Sequence, residues 1–243
     1  MKTICAKGME SRTLNDAIRA EDGDCRLTDC LGQRFLGAGM RNRSIEIDGV
    51  PGNALGAYLN GAEITVNGSA QDAVGDTMND GLIAVRGSIG DAAGYAMRGG
   101  AIYVRDNAGY RAGIHMKEYK EKIPVMVIGG RAGSFLGEYQ AGGVIVVLGL
   151  EAGKDRGDRI VGDFPCAGMH GGRVYLRGTC EGIAFPPQVT ARGADERDMA
   201  ALRPYVERYA ALFGADAEAI LASPFTLVTP DSSNPYRRMY VEN

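Results

Sequence analysis

The chain has 243 residues and a formal net charge of −3, and 36 of its residues are glycine. This length suits one domain with an appendage, and the weak net charge argues against nucleic acid or an anionic membrane as a partner. No apolar run is long enough to span a bilayer, charges follow the first six residues too soon for a secretory signal, and five irregularly spaced cysteines indicate free thiols in a reducing cytoplasm.

Residues 1–24 precede any repeat and are predicted to form a cap. Thr13 and Asp16 have the spacing of a helix N-cap and its third helical residue. Leu14 and Ile18 share one face of the same helix. Repeat proteins need caps that shield their terminal core and free strand edges. We therefore expect a short helix that covers the lower end of the repetitive part.

A phrase of 19 residues organises the middle of the chain. Its cleanest copies begin at Ile45, Ile64, Ile83 and Ile102, and each opens with a short strand of alternating residues. Glycines recur four and eleven places on, where they allow positive φ or close packing of the chain. These repeat glycines are Gly49, Gly56, Gly68, Gly75, Gly87, Gly94 and Gly113, and apolar residues fourteen places on are Leu59, Met78, Met97 and Met116.

A short fixed period with glycines at fixed offsets is typical of a solenoid, and strand-like units make it a β-helix. Each coil of 19 residues pairs its strand with the same strand in the next coil. The apolar residues fourteen places on then stack into one internal ladder. We predict an all-β solenoid, a single-stranded β-helix of about eight coils that spans residues 25–187.

The repeat has an irregular start and two insertions. The first coil begins at Cys25 and carries Cys30 in place of a corner glycine. Four extra residues are expected within 115–124, after which the frame resumes near Val125. Ten more are expected between 149 and 168. Insertions in a solenoid loop out on one face, which is often the binding face.

Residues 188–243 lack the repeat and are predicted to form a second cap. Residues 195–213 have a helical apolar stripe, with Pro204 as a position where the helix can break. A shorter helix is predicted at 216–221, and 225–230 is predicted to be extended. We expect this segment to fold back along the rod and to close its other end.

The repeated Ile-x-Val-x-Gly strings, together with Gly-Met-His-Gly-Gly-Arg-Val-Tyr-Leu-Arg-Gly at 168–178, resemble the GXGXG domain of the glutamate synthase large subunit. The C-terminal part also follows the helix–helix–strand order of the end of that domain, so the resemblance covers nearly the whole chain. It implies a right-handed β-helix. A chain that carries this domain alone resembles the split, archaeal-type arrangement, in which each domain is a separate subunit.

The same resemblance implies a structural role in the cytoplasm. In the fused enzyme the β-helix accompanies a glutamine amidohydrolase domain and a synthase domain that holds FMN and an iron–sulfur cluster. It carries no catalytic residue itself. We therefore expect no catalytic, cofactor-binding or metal-binding residue in this chain, and we expect separate amidohydrolase and FMN/iron–sulfur synthase subunits as its partners. Self-association is left open.

Another function is also compatible with this family. Similar β-helices occur within formylmethanofuran dehydrogenase, as one of its subunits, so the chain could be a component of that kind of enzyme or an independent enzyme with a β-helix groove. Asn53, Asp72 and Asp91 recur eight places into the repeat and could supply the carboxylates of such a site. The same residue types also form side-chain-to-backbone hydrogen bonds in turns, which is the simpler explanation.

Three further patterns could carry chemistry, and each has a plainer structural explanation. Cys5 is not adjacent to Met1, as the N-terminal nucleophile of a processed amidohydrolase would be. Cys25 and Cys30 form one pair without the second pair that a metal site needs. The glycine-rich stretch 127–133 is similar to a phosphate-binding loop, but a coil corner follows it rather than a helix.

The two insertions are the candidate contact surface for the synthase subunit, and solvated charged loops are the alternative. His115 opens the first insertion, and His170 lies beside the second. A general base would need an orienting partner, which the sequence does not show. The candidate contact residues are His115, Lys117, Glu118, Tyr119, Lys154, Asp155, Arg156, Asp158, Arg159 and His170.

Overall fold

The computed structural model describes residues 1–150 and 159–232, which wind into a β-helix with short helical segments at either end. The elements in chain order are β1 (Lys2–Cys5), α1 (Ser11–Ala20), β2 (Cys25–Leu31), β3 (Ser44–Val50), β4 (Asn60–Val66), β5 (Asp80–Val85), β6 (Ala101–Val104), β7 (Val125–Ile128), β8 (Ala141–Val147), β9 (Gly171–Arg177), β10 (Val189–Gly193), α2 (Glu196–Phe213), α3 (Ala217–Leu221) and β11 (Phe225–Pro230).

Each coil contributes one strand to a long sheet. Strands β1 to β9 pair in parallel in chain order. One column of paired residues runs through Ile45, Ile64, Ile83, Ile102, Met126, Ile145 and Val174. On another side of the rod, isolated bridges join Ala70, Ile89, Ala108, Ala132 and Val161. The predicted β-helix is therefore confirmed, and β2 to β9 supply its eight coils.

The predicted internal ladder lies in the core of the solenoid. Its members Leu59, Met78, Met97 and Met116 are all fully buried. The next position upward is Gln140, which is also fully buried. Its Nε2 donates to the carbonyl oxygens of Gly142 and Gly143, at 3.2 Å in both cases. These bonds satisfy the amide nitrogen of Gln140, whereas its Oε1 is buried without a hydrogen-bond partner among the described residues, so glutamine in this apolar column carries a cost.

The repeat glycines meet two different demands. Four places into the repeat, glycine lets successive coils approach closely. A Cβ on Gly49 would lie 2.2 Å from the carbonyl oxygen of Cys30, and one on Gly68 would lie 2.5 Å from that of Gly49. Eleven places in, glycine supplies positive φ, which is 65° at Gly56 and 68° at Gly75. Both demands were anticipated, and they overlap, because Gly49 also has positive φ and a Cβ on Gly56 would lie 2.6 Å from Cδ1 of Ile83.

Each tight turn holds three alternate residues in the left-handed region. In the coil of β3 these are Ala54, Gly56 and Tyr58, with φ of 63°, 65° and 58°. A residue with a side chain pays about 1–2 kcal/mol for that conformation. The amides of Ala54 and Tyr58 donate to the next coil at 2.9 and 2.8 Å, and that of Gly56 donates to the previous coil at 2.8 Å. These bonds between coils offset the conformational cost.

Helix α1 caps the lower end but begins earlier than predicted. Thr13, the predicted N-cap, lies inside the helix, which starts at Ser11. A contact with the first coil accounts for this start, because Oγ of Ser11 accepts a hydrogen bond from the amide of Arg34 at 3.0 Å. Leu14 and Ile18 are fully buried, as expected for a cap. Strand β1, which was not predicted, extends the sheet below β2.

The C-terminal segment closes the upper end and also covers one side of the sheet. Strand β11 pairs antiparallel with β9 and with β10. Helix α2 is continuous through Pro204 and ends at Gly214, which has φ of 72°. The hydroxyl of Tyr209 donates to the carbonyl oxygen of Arg105 at 2.9 Å, which fixes α2 against the outer face of the sheet. No helix in the described ranges is both long and apolar enough to cross a membrane.

The outward side chains of the sheet explain where α2 lies. One outward column reads Glu46, Thr65, Ala84, Tyr103, Val127, Val146 and Tyr175 from the lower coils to the upper ones. From Tyr103 upward, its members pack with Leu202 and Val206 of α2 in a second apolar core outside the solenoid. Burial of apolar surface drives this contact. Helix α2 therefore covers the apolar upper part of the column and leaves the polar lower part uncovered.

The register corrects the length of the first insertion. Ile102 pairs with Met126, 24 positions later, whereas a resumption at Val125 would make the spacing 23. The insertion therefore adds five residues to the period rather than four. Ile145 pairs with Val174, which is 29 positions later and agrees with the ten extra residues predicted for the second insertion.

We expect Gly68→Ala to destabilise the protein by about 1–3 kcal/mol, because the backbone of the coil below would have to move. Gly23→Ala is the matched control, since neither glycine has positive φ and a Cβ on Gly23 would meet nothing within 4 Å. Its effect should stay within about 0.5 kcal/mol. Urea unfolding followed by circular dichroism measures both variants. Equal losses would show that the close approach of coils does not require glycine.

Candidate functional site

The tight turns of successive coils stack into one side of the rod, which we name the turn face. A side chain on this face lies directly above its counterpart in the coil below, because the coils share one frame. The candidate histidines and both insertions lie on or beside it. The turn face comprises residues 34–40, 53–59, 72–78, 91–97, 110–116, 134–140 and 163–169.

The aspartate column at the start of each turn has a structural task. The Oδ1 atoms of Asn53, Asp72 and Asp91 each accept a hydrogen bond from a main-chain N–H of the next coil, at 3.3, 2.9 and 2.7 Å. These side chains therefore hold adjacent coils in register. Their arrangement agrees with the turn-forming explanation and does not resemble a pair of catalytic carboxylates that share a substrate.

A second ladder of the same kind follows each strand and was not predicted. Oγ of Ser69 accepts from the amide of Ser88 at 3.1 Å, and Oγ of Ser88 accepts from the amide of Asn107 at 3.3 Å. Oδ1 of Asn107 then accepts from the amide of Arg131 at 2.7 Å. The signal in the sequence is a short polar residue five places into the repeat. The two ladders join adjacent coils by hydrogen bonds between the end of each strand and the start of each turn.

Aromatic side chains form two stacks on the turn face of the upper coils, which we name the aromatic stacks. The first contains Tyr110, Phe135 and Phe164, with neighbouring ring centroids 5.5 and 5.2 Å apart. The second contains Tyr95, His115 and Tyr139, with centroids 5.9 and 5.1 Å apart. Phe164 is 63% exposed and Tyr95 is 43% exposed. Grouped exposed rings of this kind mark a contact surface.

Arg111 lies against the first stack and adds charge to it. Its guanidinium carbon is 5.6 Å from the ring centroid of Tyr110 and 5.0 Å from that of Phe135, which are cation–π distances. Nε of Arg111 donates to Oε2 of Glu138 at 2.8 Å. This hydrogen bond raises the pKa of Arg111, so the guanidinium stays charged. The aromatic stacks thus have a fixed ion pair within them.

The structure places the two histidines on either side of the contact between Tyr139 and Gly168. The ring of His115 stacks on that of Tyr139. The same tyrosine lies over Gly168, where a Cβ would be 2.4 Å from Cδ1 of Tyr139. Nδ1 of His170 lies 3.0 Å from the carbonyl oxygen of Gly168. His115 and His170 therefore border the same part of the turn face. Their contact with a partner stays a prediction.

The first insertion forms a hairpin that is tied to the solenoid. Main-chain hydrogen bonds of 3.1 Å join Tyr119 and Lys122 in both directions. Nζ of Lys122 donates to Oδ2 of Asp80 at 2.7 Å, and this bond lowers the pKa of Asp80. Oε1 of Glu118 accepts a hydrogen bond from the amide of Gly143 in β8 at 3.0 Å, so this side chain stabilises the insertion against the solenoid. Lys117 and Tyr119 are exposed and remain available to a partner.

The second insertion is described only at its end. Arg159 forms an ion pair with Asp163 at 3.1 Å, and both side chains are exposed, so the pair contributes little to stability. Asp163 directly precedes Phe164, which places Arg159 beside the aromatic stacks. The other predicted contact residues of this insertion, Lys154, Asp155, Arg156 and Asp158, lie outside the described residues.

The cysteines and the glycine-rich stretch belong to the fold. Cys25 and Cys30 are buried free thiols, and burial raises the pKa of Cys30 to about 11. Cys5 is exposed, and its Sγ donates to a carboxylate of β2 at 3.5 Å. Residues 127–133 form the end of β7 and a coil corner, where the amides of Gly129, Gly130 and Gly133 donate to the coil below and that of Ala132 donates to the coil above. Within the described ranges, no group of three or more His, Cys, Asp or Glu side chains could hold a metal ion.

The aromatic stacks were not predicted, although the repeat frame contained a signal for them. Phe135 and Phe164 occupy the position that Ala73 and Ala92 occupy in lower coils. Tyr139 likewise takes the position of Thr77. Aromatic residues also occur in the lower turns, where Phe35 has the position of Phe135 and Tyr58 has that of Tyr139. The upper turns differ in that their rings contact one another from coil to coil.

Comparison with known proteins gives a family and a shared fold. The GXGXG motif family matches residues 22–230 of this chain. The uncharacterized protein MJ1350 of Methanocaldococcus jannaschii is 41% identical over 248 residues, which cover 98% of this chain and 95% of that protein.

A solved structure also resembles this chain. It is a chain of the formyltransferase/hydrolase complex (FhcABCD) from Methylorubrum extorquens in complex with methylofuran. The TM-score is 0.64 and the identity 23%, and the match covers 86% of this chain and 73% of that chain. At this identity the likeness shows the fold alone. The family match spans the coils and most of the C-terminal cap, and this chain therefore belongs to the GXGXG motif family.

Proposed function

We propose that this chain is a non-catalytic structural subunit of a glutamate-synthase-type complex, in which it holds catalytic partners in a fixed relation. The aromatic stacks carry this proposal. Four of their rings, those of Tyr95, Tyr110, Tyr139 and Phe164, are 39–63% exposed and stand side by side. Tyrosine, phenylalanine and arginine are enriched at the surfaces where proteins contact each other.

The regularity of the coils supports the role of a scaffold. Strands β2 to β8 are paired on both edges. The aspartate and serine ladders each add a hydrogen bond between coils, one where the turn starts and one just before it. A rod whose coils are locked in register keeps two bound partners at a constant separation. Catalysis by the scaffold itself is not required in such an assembly.

The proposed partners are a glutamine amidohydrolase subunit and a synthase subunit with FMN and an iron–sulfur cluster. Together they would carry out glutamine-dependent amination of 2-oxoglutarate or a related acid. The support is the resemblance of residues 168–178 and of the C-terminal segment to the corresponding domain of glutamate synthase. The described residues of this chain include no group suited to a metal, and in this proposal the cofactors belong to the synthase partner.

A β-helix component of a formyl-transfer complex is the second candidate. It is favoured by the fold shared with a chain of the formyltransferase/hydrolase complex. Both candidates give this chain partner subunits, and they differ in what those subunits are. An independent enzyme is less well supported, because the aspartate column is engaged by main-chain amides.

Affinity purification of the tagged chain from its native cell tests the proposed partners. We expect an amidohydrolase and a flavin-containing chain to co-purify with it, whereas the isolated chain should bind no FMN and show no glutaminase activity. Mass spectrometry identifies the chains, and flavin absorbance measures the cofactor. Stoichiometric flavin in the isolated chain would contradict the proposal, and co-purified formyltransferase subunits would favour the second candidate.

Alanine variants of Asp72 and Asp91 separate a scaffold from an enzyme. Each should lower the free energy of unfolding by about 0.5–1.5 kcal/mol, because a main-chain amide loses its acceptor. Asp72→Asn keeps an acceptor oxygen and is the control. The glutamine-dependent activity of the complex should be the same for all three variants and for His170→Ala. An activity that disappears while folding is retained would instead identify a catalytic site on the coils.

A further inference from the structure

We infer that the upper end of the turn face, residues 163–169, is a docking edge for an extended segment of a partner polypeptide. That segment would add one more rung to the stacked turns. The inference rests on the proposed function in one respect, because the partner is taken to be another subunit of the complex. The hydrogen bonds between the lower coils define which backbone donors and acceptors such a segment must offer.

The lower coils show how this kind of edge is filled. Nine places into the repeat, main-chain amides donate to carbonyl oxygens of the next coil at 2.7–3.0 Å, and thirteen places in they do so at 2.7–2.9 Å. The donors of the first column are Phe35, Ala54, Ala73, Ala92, Arg111 and Phe135, and those of the second are Gly39, Tyr58, Thr77, Ala96, His115 and Tyr139.

The next donors in these columns are the amides of Phe164 and Gly168. Neither amide has an acceptor within residues 1–150 and 159–232. Between them lies the carbonyl oxygen of Pro165, whose counterpart in the coil below, that of Leu136, accepts from the amide of Cys166 at 2.7 Å. Pro165 itself is buried, so the groups that the edge presents are the two amide donors, in the order that a further coil would satisfy. Unfilled backbone of this kind is a template for pairing with another chain.

The C-terminal cap closes the sheet and the core but not this edge. Strand β11 continues the sheet beyond β9. Ile183 and Phe185, which follow β9, pack against the interior core. The described residues after β9 form turns at 181–182 and 187–188, but neither turn accepts a hydrogen bond from the amides of Phe164 and Gly168. The opening is thus confined to the side of the rod that carries the aromatic stacks.

The side chains at the edge specify the occupant further. Phe164 ends the first aromatic stack and is 63% exposed, so an apolar or aromatic side chain of the partner can continue that stack. Asp163 stands in the column where Asp91 accepts the amide of the next coil at 2.7 Å. The occupant is therefore an extended segment with backbone carbonyls toward Phe164 and Gly168, an amide toward Asp163, and a flat apolar side chain.

Hydrogen–deuterium exchange compares the edge in the free chain and in the complex purified from the native cell. The amides of Phe164 and Gly168 should exchange more than ~10-fold more slowly in the complex, because bonded amides open rarely. The amides of Phe35 and Gly39 in the lowest turn are the internal reference and should not change. Unaltered exchange at Phe164 and Gly168 in a complex that contains its partners would overturn the inference.

Phe164→Glu tests the same edge by substitution. It should reduce the amount of co-purified partner by at least ~10-fold, because a carboxylate replaces the apolar end of the stack. Phe35→Glu is the matched control, since Phe35 has φ of 59° against 56° for Phe164 and is 55% exposed. Both variants should unfold at the wild-type urea concentration. Equal recovery of partner with the two variants would contradict the inference.

The outcomes separate this inference from the proposed function. If the amidohydrolase and flavin chains co-purify equally well with Phe164→Glu and its edge amides remain unprotected, the proposed function stands and the docking edge does not. If no partner co-purifies with the wild-type chain, both fail. The remaining possibility is that the chain's own residues after 232 occupy the edge, and a variant that ends at residue 232 tests it. Faster exchange at Phe164 in that variant alone would show that the chain fills its own edge, which also overturns the inference.

Discussion

The structure depends on main-chain hydrogen bonds between successive coils, which hold neighbouring strands about 4.8 Å apart. At that separation the corners of adjacent coils leave no space for a Cβ, as the 2.2 Å approach to Cys30 at Gly49 shows. The tight turns satisfy their amides in the same way, with bonds that alternate between the coil above and the coil below. The glycine spacing, the positive φ values and the polar ladders all follow from this single demand.

The coils were predictable because their determinants are local and recur with a fixed period. The core ladder of Leu59 and three methionines, the corner role of Cys30 and the spacing of 29 at the second insertion could all be inferred from the frame. The start of α1 and the strand β1 could not, because contacts with the first coil decide both. The position of α2 could not be predicted either, because it depends on which outward side chains of the sheet are apolar.

The candidate site was only partly predictable for a related reason. His115 and Tyr119 were identified because they lie where the period is broken. The rings around them were overlooked because they lie within regular turns, at positions where the backbone tolerates any side chain that accepts positive φ. Coils with alanine at this position, such as Ala73, and coils with phenylalanine, such as Phe35 and Phe135, have the same backbone conformation there. The difference is visible only on the surface, which is where a partner would detect it.

Helix α2 has a consequence for the order in which the chain acquires its structure during synthesis. Most bonds that build the rod join residues of adjacent coils, so the coils can form progressively from the N-terminus. The bond from Tyr209 to Arg105 instead joins residues 104 positions apart. Until the ribosome has made α2, Tyr103, Val127 and Val146 face the solvent on the sheet formed by β1 to β9. The nascent protein therefore passes through a stage with an open apolar face, when it is most exposed to aggregation and to chaperones.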